Sequence, residues 1–406
     1  MRVFLAVLLS LWALAVPAAA QQKAPRRPKL PGLADTNSAL AYYRFGRSTL
    51  EADPKMASEA LYWANRLNPG WAAALYAQRV ATLRADDRRL IRYLRGDRNT
   101  IRAFAPVDSL YLRALLADPF LHTDLDRSLL RHYFVAFYSE QVSRSGGNSR
   151  DPDVQFLIEE EIRKTMGSEG GVSYLAWEAF SDGRFQDAIV LYGKLLAKKT
   201  KDPSVREDLG TALFLAQDFA RAAVELQLAI EERGKKEEKE TVILYRPKAL
   251  LQHKLGVALT RKGDLEAAKD AFGKALEEDL SFYPAHLILA HMAMTSGDTA
   301  IAFREYQTAV ELQPEEATPH LTRASALLSA GRYDAAIESL TKLTTIEPYF
   351  AEPFFNLGRA LEAKRDTAGA IVQYNAFLVK TTGDDRNRGT AIARIRALGG
   401  TPVAVR

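Results

Sequence analysis

The stretch YPAHLILAHMAMTSGDTAIAFREYQTAVELQPEE, residues 283–316, decides the fold. Leu289, Ala290 and Ala293 stand at helical spacing on one face. Ser296-Gly297-Asp298 reads as a turn, and Ala302, Tyr306 and Ala309 face back from a second helix. The small pair Ala290 and Ala302 lets the two axes approach closely, while Tyr306 fills the space beside them. Pro314 ends the second helix, because proline cannot continue the hydrogen-bond ladder. One such hairpin cannot bury its own apolar face, so neighbours must stack on it.

The neighbours are visible as columns. Ala268, Ala302, Ala336 and Ala370 are spaced 34 residues apart. Gly263, Gly297 and Gly331 keep the same step, with Arg365 in the next place, and Phe272, Tyr306, Leu340 and Tyr374 run in parallel. Upstream, Ala188 and Ala222, Phe185 and Phe219, and Tyr192 and Leu226 repeat the interval. From Ala222 to Ala268 the step is 46, one period plus an insertion of 12. Several interlocked columns in one register do not arise by chance.

These columns resemble the tetratricopeptide repeat family. The matching residues are a leucine and then a small residue in the first helix: Leu175-Ala176, Leu209-Gly210, Leu255-Gly256, Leu289-Ala290 and Leu357-Gly358. The turn glycine, the alanine early in the second helix, the aromatic or leucine four residues on and the terminal Pro314 and Pro348 complete the pattern. Six units follow, over 169–202, 203–236, 249–282, 283–316, 317–350 and 351–384, about half of the chain. The sequence departs from the pattern at Arg323, which replaces the first-helix leucine, and at Thr200, Gly234 and Leu280, which replace the terminal proline. A further unit is expected at 36–69, carried by Ala57, Leu61, Ala64 and Pro69, and Trp71-Ala72-Ala73 begins another. The fold class expected is all-α, a tetratricopeptide-repeat α-solenoid that the resemblance makes a right-handed superhelix, with a helical N-terminal region.

Residues 1–20 read as a secretory leader. Arg2 is followed by the apolar run Val3–Val16, then Pro17 and small residues up to a cleavage point after Ala20. The expected location is periplasmic or secreted, and no later stretch is apolar enough to span a bilayer. Residues 21–35 form a proline-rich basic linker expected to be an extended tether, 36–148 a helical region with one or two degenerate units, and 149–168 a connecting helix. The seam Arg144–Ser149 is the preferred boundary. Residues 169–384 hold the six units, and 385–406 a capping helix and tail, with Ile392, Ile395 and Leu398 on its apolar side. The insertion 235–248 contains the β-prone stub TVILY, expected to pack over a neighbouring hairpin.

No catalytic constellation stands out: there is no HExxH, GxSxG, phosphate loop or dinucleotide fingerprint. The expectation is a chain that is not an enzyme and needs no cofactor. Absence of cysteine excludes disulfides, a thiol nucleophile and thiolate-bound zinc. His286 and His320 are equivalent in adjacent units, and two interhelix spacings of about 8–10 Å put them too far apart to share an ion. A net charge of +5 makes no case for nucleic acid.

The resemblance implies that first helices line a concave face on which protein segments bind. The family's carboxylate clamp, lysine and asparagine on successive first helices, is not matched, since His253 and Val257 stand where those residues are wanted. The groove reads as apolar instead. Its candidate protein-binding residues are Trp177, Phe180, Phe214, Leu250, His253, Val257, Leu287, His291, Met294, Leu321, Leu328, Phe355 and Arg359. The helix from His286 to Met294 is apolar nearly all round, so something must cover it. That cover is either an external segment or the chain's own N-terminal or capping helices. The function expected is a protein–protein interaction scaffold of the cell envelope. The alternative is a polyanion-binding component, of envelope or export machinery, that uses the arginine-rich stretch 79–102. Arg84, Arg88, Arg92 and Arg95 are its candidate anion surface, with Arg79, Arg89, Arg98 and Arg102 in the same run.

Overall fold

A computed structural model describes residues 24–30, 37–149, 151–168, 171–198, 204–234 and 248–404. The leader 1–20 and most of the insertion, TVILY included, lie outside the described residues. Among those described there are twenty helices and no strand, and no helix is long and apolar enough to cross a membrane.

Twelve of the helices form six hairpins: α8 (Gly171–Ser181) with α9 (Phe185–Ala197), α10 (Ser204–Leu215) with α11 (Phe219–Gly234), and α12 (Lys248–Lys262) with α13 (Leu265–Glu278). They continue as α14 (Tyr283–Ser296) with α15 (Thr299–Leu312), α16 (Ala317–Ser329) with α17 (Tyr333–Ile346), and α18 (Glu352–Ala363) with α19 (Thr367–Lys380). The chain is an α-solenoid, and its columns are its core. Ala188, Ala222, Ala268, Ala302, Ala336 and Ala370 are wholly buried, and Tyr192, Leu226, Phe272, Tyr306, Leu340 and Tyr374 nearly so. The small first-helix residue is a contact requirement. A Cβ on Gly256 would sit 2.5 Å from the Phe272 ring, one on Gly358 2.7 Å from Tyr374, and one on Gly210 2.8 Å from Leu226. Arg323, in the leucine column, reaches Ser339 Oγ across its hairpin instead. Helix α20 (Arg388–Ala397) closes the C-terminal end with Ala391 and Ile395 buried against Phe377 and Leu378.

Each second helix packs on the first helix of the next hairpin, and α14 also touches α16, so first helices line the inner side of the curve. One or two residues after each first helix the backbone is left-handed: at Gly183, Gly263, Gly297 and Gly331, but also at Gln217 (φ 65°) and Arg365 (φ 63°). A side chain there is strained.

The N-terminal region uses the same hairpin once and then abandons it. Helices α1 (Ala39–Thr49) and α2 (Pro54–Leu67) pair through Gly46, whose Cβ would meet Leu61 at 2.6 Å. Ala57, Leu61 and Ala64 are fully buried. Helix α3 (Ala72–Arg84) packs on α2 but takes as its further partner α5 (Arg98–Ala117), with the eight-residue α4 (Asp87–Leu94) between them. Helices α6 (Leu125–Arg144) and α7 (Pro152–Ser168) lead into the array. The described part of the basic linker, 24–30, has no regular secondary structure and is docked, not the free tether expected: Trp63 Nε1 donates to Pro25 O at 3.1 Å, and Ala24 and Leu30 pack on the α1–α2 core.

Arg365→Gly and Gln217→Gly are expected to stabilise the protein by up to about 1 kcal/mol each by removing left-handed strain. Gly297→Ala should cost a similar amount. Thermal unfolding followed by circular dichroism checks both, and a fall in Tm for either glycine variant would refute the strain argument.

Candidate functional site

The inner face of the first four hairpins is already filled, by residues 111–122 of the same chain. Phe120 stacks on Phe214 with ring centroids 3.6 Å apart and planes 10° from parallel. Both belong to the core built on Ala176, Ala212 and Leu213. Leu115 is buried with Leu250, Phe282 and Ala285, and Tyr111, Leu116 and Leu121 pack on that cluster. Leu116 also meets the cluster of Tyr283, Leu287 and Ala290. The polar ends of the segment are held as well. His122 Nε2 lies 2.8 Å from Phe180 O, its ring edge-on to Phe180 and Phe185. Asp118 accepts from Phe120 N at 3.0 Å, and burial raises its carboxyl above the usual range, opposed by that bond and by Lys254.

Burying Phe120 and Leu115 contributes roughly 1.5–3 kcal/mol each, and half-burying Leu116 a smaller amount, before the cost of ordering them. That gross sum rivals the roughly 5–15 kcal/mol stability of an entire domain. The segment is therefore part of the fold and not a loosely held lid.

Contacts continue along the array. Arg113 Nε pairs with Glu316 at 3.0 Å, and a Cβ on Gly70 would lie 3.1 Å from Thr318 Oγ1. Arg66 Nη2 donates to Ile346 O at 3.3 Å and its Nη1 lies 3.0 Å from Glu347. Trp63 meets Tyr349 edge-on at 4.9 Å under the Arg27 guanidinium, and Asn37 Nδ2 donates to Val379 O at 3.0 Å. The N-terminal region thus touches the stack from its first hairpin to its sixth.

Of the groove residues expected from sequence, Phe180, Phe214, Leu250, Val257 and Leu287 lie in or against the clusters that hold 111–122, and Trp177 is half-buried. His253 is corrected: it is an interior residue between the Phe272 and Phe282 rings, at 5.3 and 5.4 Å, with Nδ1 unpartnered. Full burial lowers its pKa to about 4, so it is neutral and makes no polar contact in the groove. His291 is exposed, while Met294, Leu321 and Leu328 are half-buried.

Beyond the filled part the inner face opens. A cleft of about 460 Å³ is lined by Leu328, Tyr333, Phe355, Arg359, Glu362 and Arg394, among others. Phe355 forms its floor, buried against Tyr374 and Phe377. Glu362 accepts from Tyr374 Oη at 2.9 Å and from Arg394 Nε at 3.1 Å, which leaves Arg359 exposed on the surface.

The candidate anion surface is also corrected. Arg84 is buried, held by Glu51 and by Ser128 Oγ at 2.6 Å, and Arg79 is buried over the Tyr111 ring. Arg88, Arg92 and Arg95 are exposed. His286 pairs with Glu305, and His286 and His320 each lie against the carbonyl six residues earlier, Leu280 O and Pro314 O. Among the described residues no group of side chains could hold a metal ion.

Family models described as tetratricopeptide repeat match residues 175–237, 249–282, 287–349 and 321–385. The chain belongs to the tetratricopeptide repeat family. Proteins of this family generally mediate protein–protein interaction and peptide binding, and are generally non-enzymatic. Over 95 residues the chain is 30% identical to a tetratricopeptide repeat and J domain-containing co-chaperone of Cryptococcus neoformans, covering 23% of this chain and 18% of that protein. It is 31% identical over 98 residues to the small glutamine-rich tetratricopeptide repeat-containing protein 2 of Mycosarcoma maydis, covering 24% and 28%. The chain thus spans less than a third of either relative. Among solved structures, yeast Tom70 is similar at 13% identity and a TM-score of 0.42 over 90% of this chain and 88% of that one. The C-terminal part of a repeat protein from Cytophaga hutchinsonii gives 16% identity and 0.43 over 50% and 77%.

The junction also sets a pH dependence. Burial pushes the Glu347 carboxyl from 4.5 up to about 7, with Glu316 adding to the rise and Arg66 and Arg113 opposing it. The folded state therefore binds the proton more tightly than the unfolded chain. Its contribution is full below about pH 4.5 and is lost as pH rises through about 7. Glu347→Gln should match the wild type in Tm near pH ~5 and equal or exceed it near pH ~8. A variant less stable than wild type at the higher pH would show that pairing with Arg66 outweighs burial.

Proposed function

We propose that the chain is a non-enzymatic adaptor of the cell envelope that binds protein segments on the open end of its inner face, from His291 to Arg394. The observation that carries this reading is the segment 111–122: the filled half of the groove accepts a short apolar stretch of protein, so the surface that continues it has the matching chemistry. Leu328 and the edge of Phe355 supply apolar contact, and the exposed Arg359 supplies a partner for a carboxylate. An external segment occupies this end because the other end is closed by the chain's own fold. The envelope location rests on the leader read in residues 1–20, and predicts a mature N-terminus at Gln21.

A photo-crosslinking amino acid placed at Ser325 or Arg359 in living cells tests the surface. Adducts to other proteins are expected from these positions and not from Val224, which is exposed on a second helix. Labelling of the chain alone from both inner positions, or equal labelling from Val224, would sink the proposal. Arg359→Glu should weaken capture by about 1–3 kcal/mol if its partner is a carboxylate.

A further inference from the structure

The elbow between α4 and α5 carries charge that neither the groove nor the core uses. Leu90, Ile91 and Tyr93 turn inward, Tyr93 edge-on to Phe104 at 5.3 Å. This leaves Arg88, Arg92 and Arg95 on the outer face at successive turns. Gly96 (φ 78°) reverses the chain, and Asp97 N donates back to Arg92 O at 3.0 Å. Arg98 and Arg102 add two more exposed guanidiniums from the first turns of α5, directly after this reversal. Within each helix the arginines four apart stand about 6 Å apart along the axis. All five are exposed, and among the described residues Arg88, Arg92, Arg98 and Arg102 carry no ion pair. Arg95 leans on the Phe137 ring at 5.0 Å, and Arg89 pairs with Asp86 at 3.5 Å.

The local carboxylates are committed to structure. Asp86 caps α4 through Arg89 N, Asp97 caps α5 through Thr100 N, and Asp87 holds His132 at 2.8 Å. Between residues 86 and 102 six arginines stand against three aspartates, a local +3 of which Glu140 on α6 offsets one by pairing with Arg95 at 3.9 Å, when the whole chain carries +5. A guanidinium row of this kind matches planar or tetrahedral oxyanions strung at a regular interval. Nothing on it serves a base or a bilayer. Tyr93 and Phe104 are buried and the half-buried Phe137 ring is covered by Arg95, whereas single-stranded nucleic acid needs open stacking surfaces. Among the described side chains between 86 and 102, no large apolar one is exposed to enter a lipid interface.

We infer that the α4–α5 elbow is a second binding surface, independent of the groove, for a linear acidic polysaccharide with one carboxylate per sugar ring. Isothermal titration of the full chain with polygalacturonate tests it, alongside the variant Arg88→Gln/Arg92→Gln/Arg98→Gln/Arg102→Gln. Binding by the wild type is expected to weaken about tenfold between about 50 and about 200 mM salt, as counterion release requires. The variant should bind at least about tenfold more weakly at low salt with an unchanged Tm. Arg359→Glu should bind as the wild type does, which separates this surface from the groove. Absence of wild-type binding, equal binding by the four-arginine variant, or salt-independent binding would overturn the inference. Tighter binding to an oligothymidylate or to phosphatidylglycerol vesicles than to polygalacturonate would overturn the ligand class.

Discussion

A helix that is apolar on every side has to be covered on every side. Helix α14 states this constraint in its simplest form: Leu287, Ile288, Leu289 and Ala293 fall on different sides of the helix and leave no broad polar face for water. Its own second helix covers one side, the neighbouring hairpins cover two more, and the inner side is closed by Leu116 from the N-terminal region. The same logic repeats at Phe214 under Phe120 and at Leu250 beside Leu115. The array and the N-terminal region are therefore one folded unit with a shared interior. Neither end of the chain can be understood as an appendage of the other.

The array was legible in the sequence because repetition multiplies a weak signal. A lone alanine says little, but six of them, 34 residues apart except across the one insertion and each followed by a large residue four positions on, define a packed column. Turn chemistry was partly legible: glycine marks the left-handed position in four hairpins, while Gln217 and Arg365 occupy it without the usual residue. The inner cover was not legible as such. The apolar run Leu115–Leu121, broken by Asp118 and Pro119, announces a buried helix end and turn, but no periodicity says against which distant helix it packs. His253 was misread for a related reason. Helical spacing places it on the first helix's inner side, yet the rings of Phe272 and Phe282 close over it, which only tertiary geometry reveals. Arg84 lies in a run that reads as a solvated face, and its burial depends on Glu51, 33 residues away.

This division of the inner face shapes function. A solenoid whose whole groove was open would expose a long apolar surface, with the aggregation risk that follows. Here the N-terminal region closes most of it and leaves a shorter site where Leu328 and Phe355 meet Arg359. Cations elsewhere are sorted the same way: Arg66, Arg79, Arg84 and Arg113 are tied into the junction or the core, whereas the α4–α5 elbow keeps its arginines in water.

Amide hydrogen exchange over residues 111–122 tests this arrangement most directly. Protection there should equal that of α12 in the wild type and should fall in Phe214→Ala, which removes the stacked ring from beneath Phe120. Rapid exchange of 111–122 in the wild type, with α12 still protected, would mean that the groove stands open and that its cover lies elsewhere.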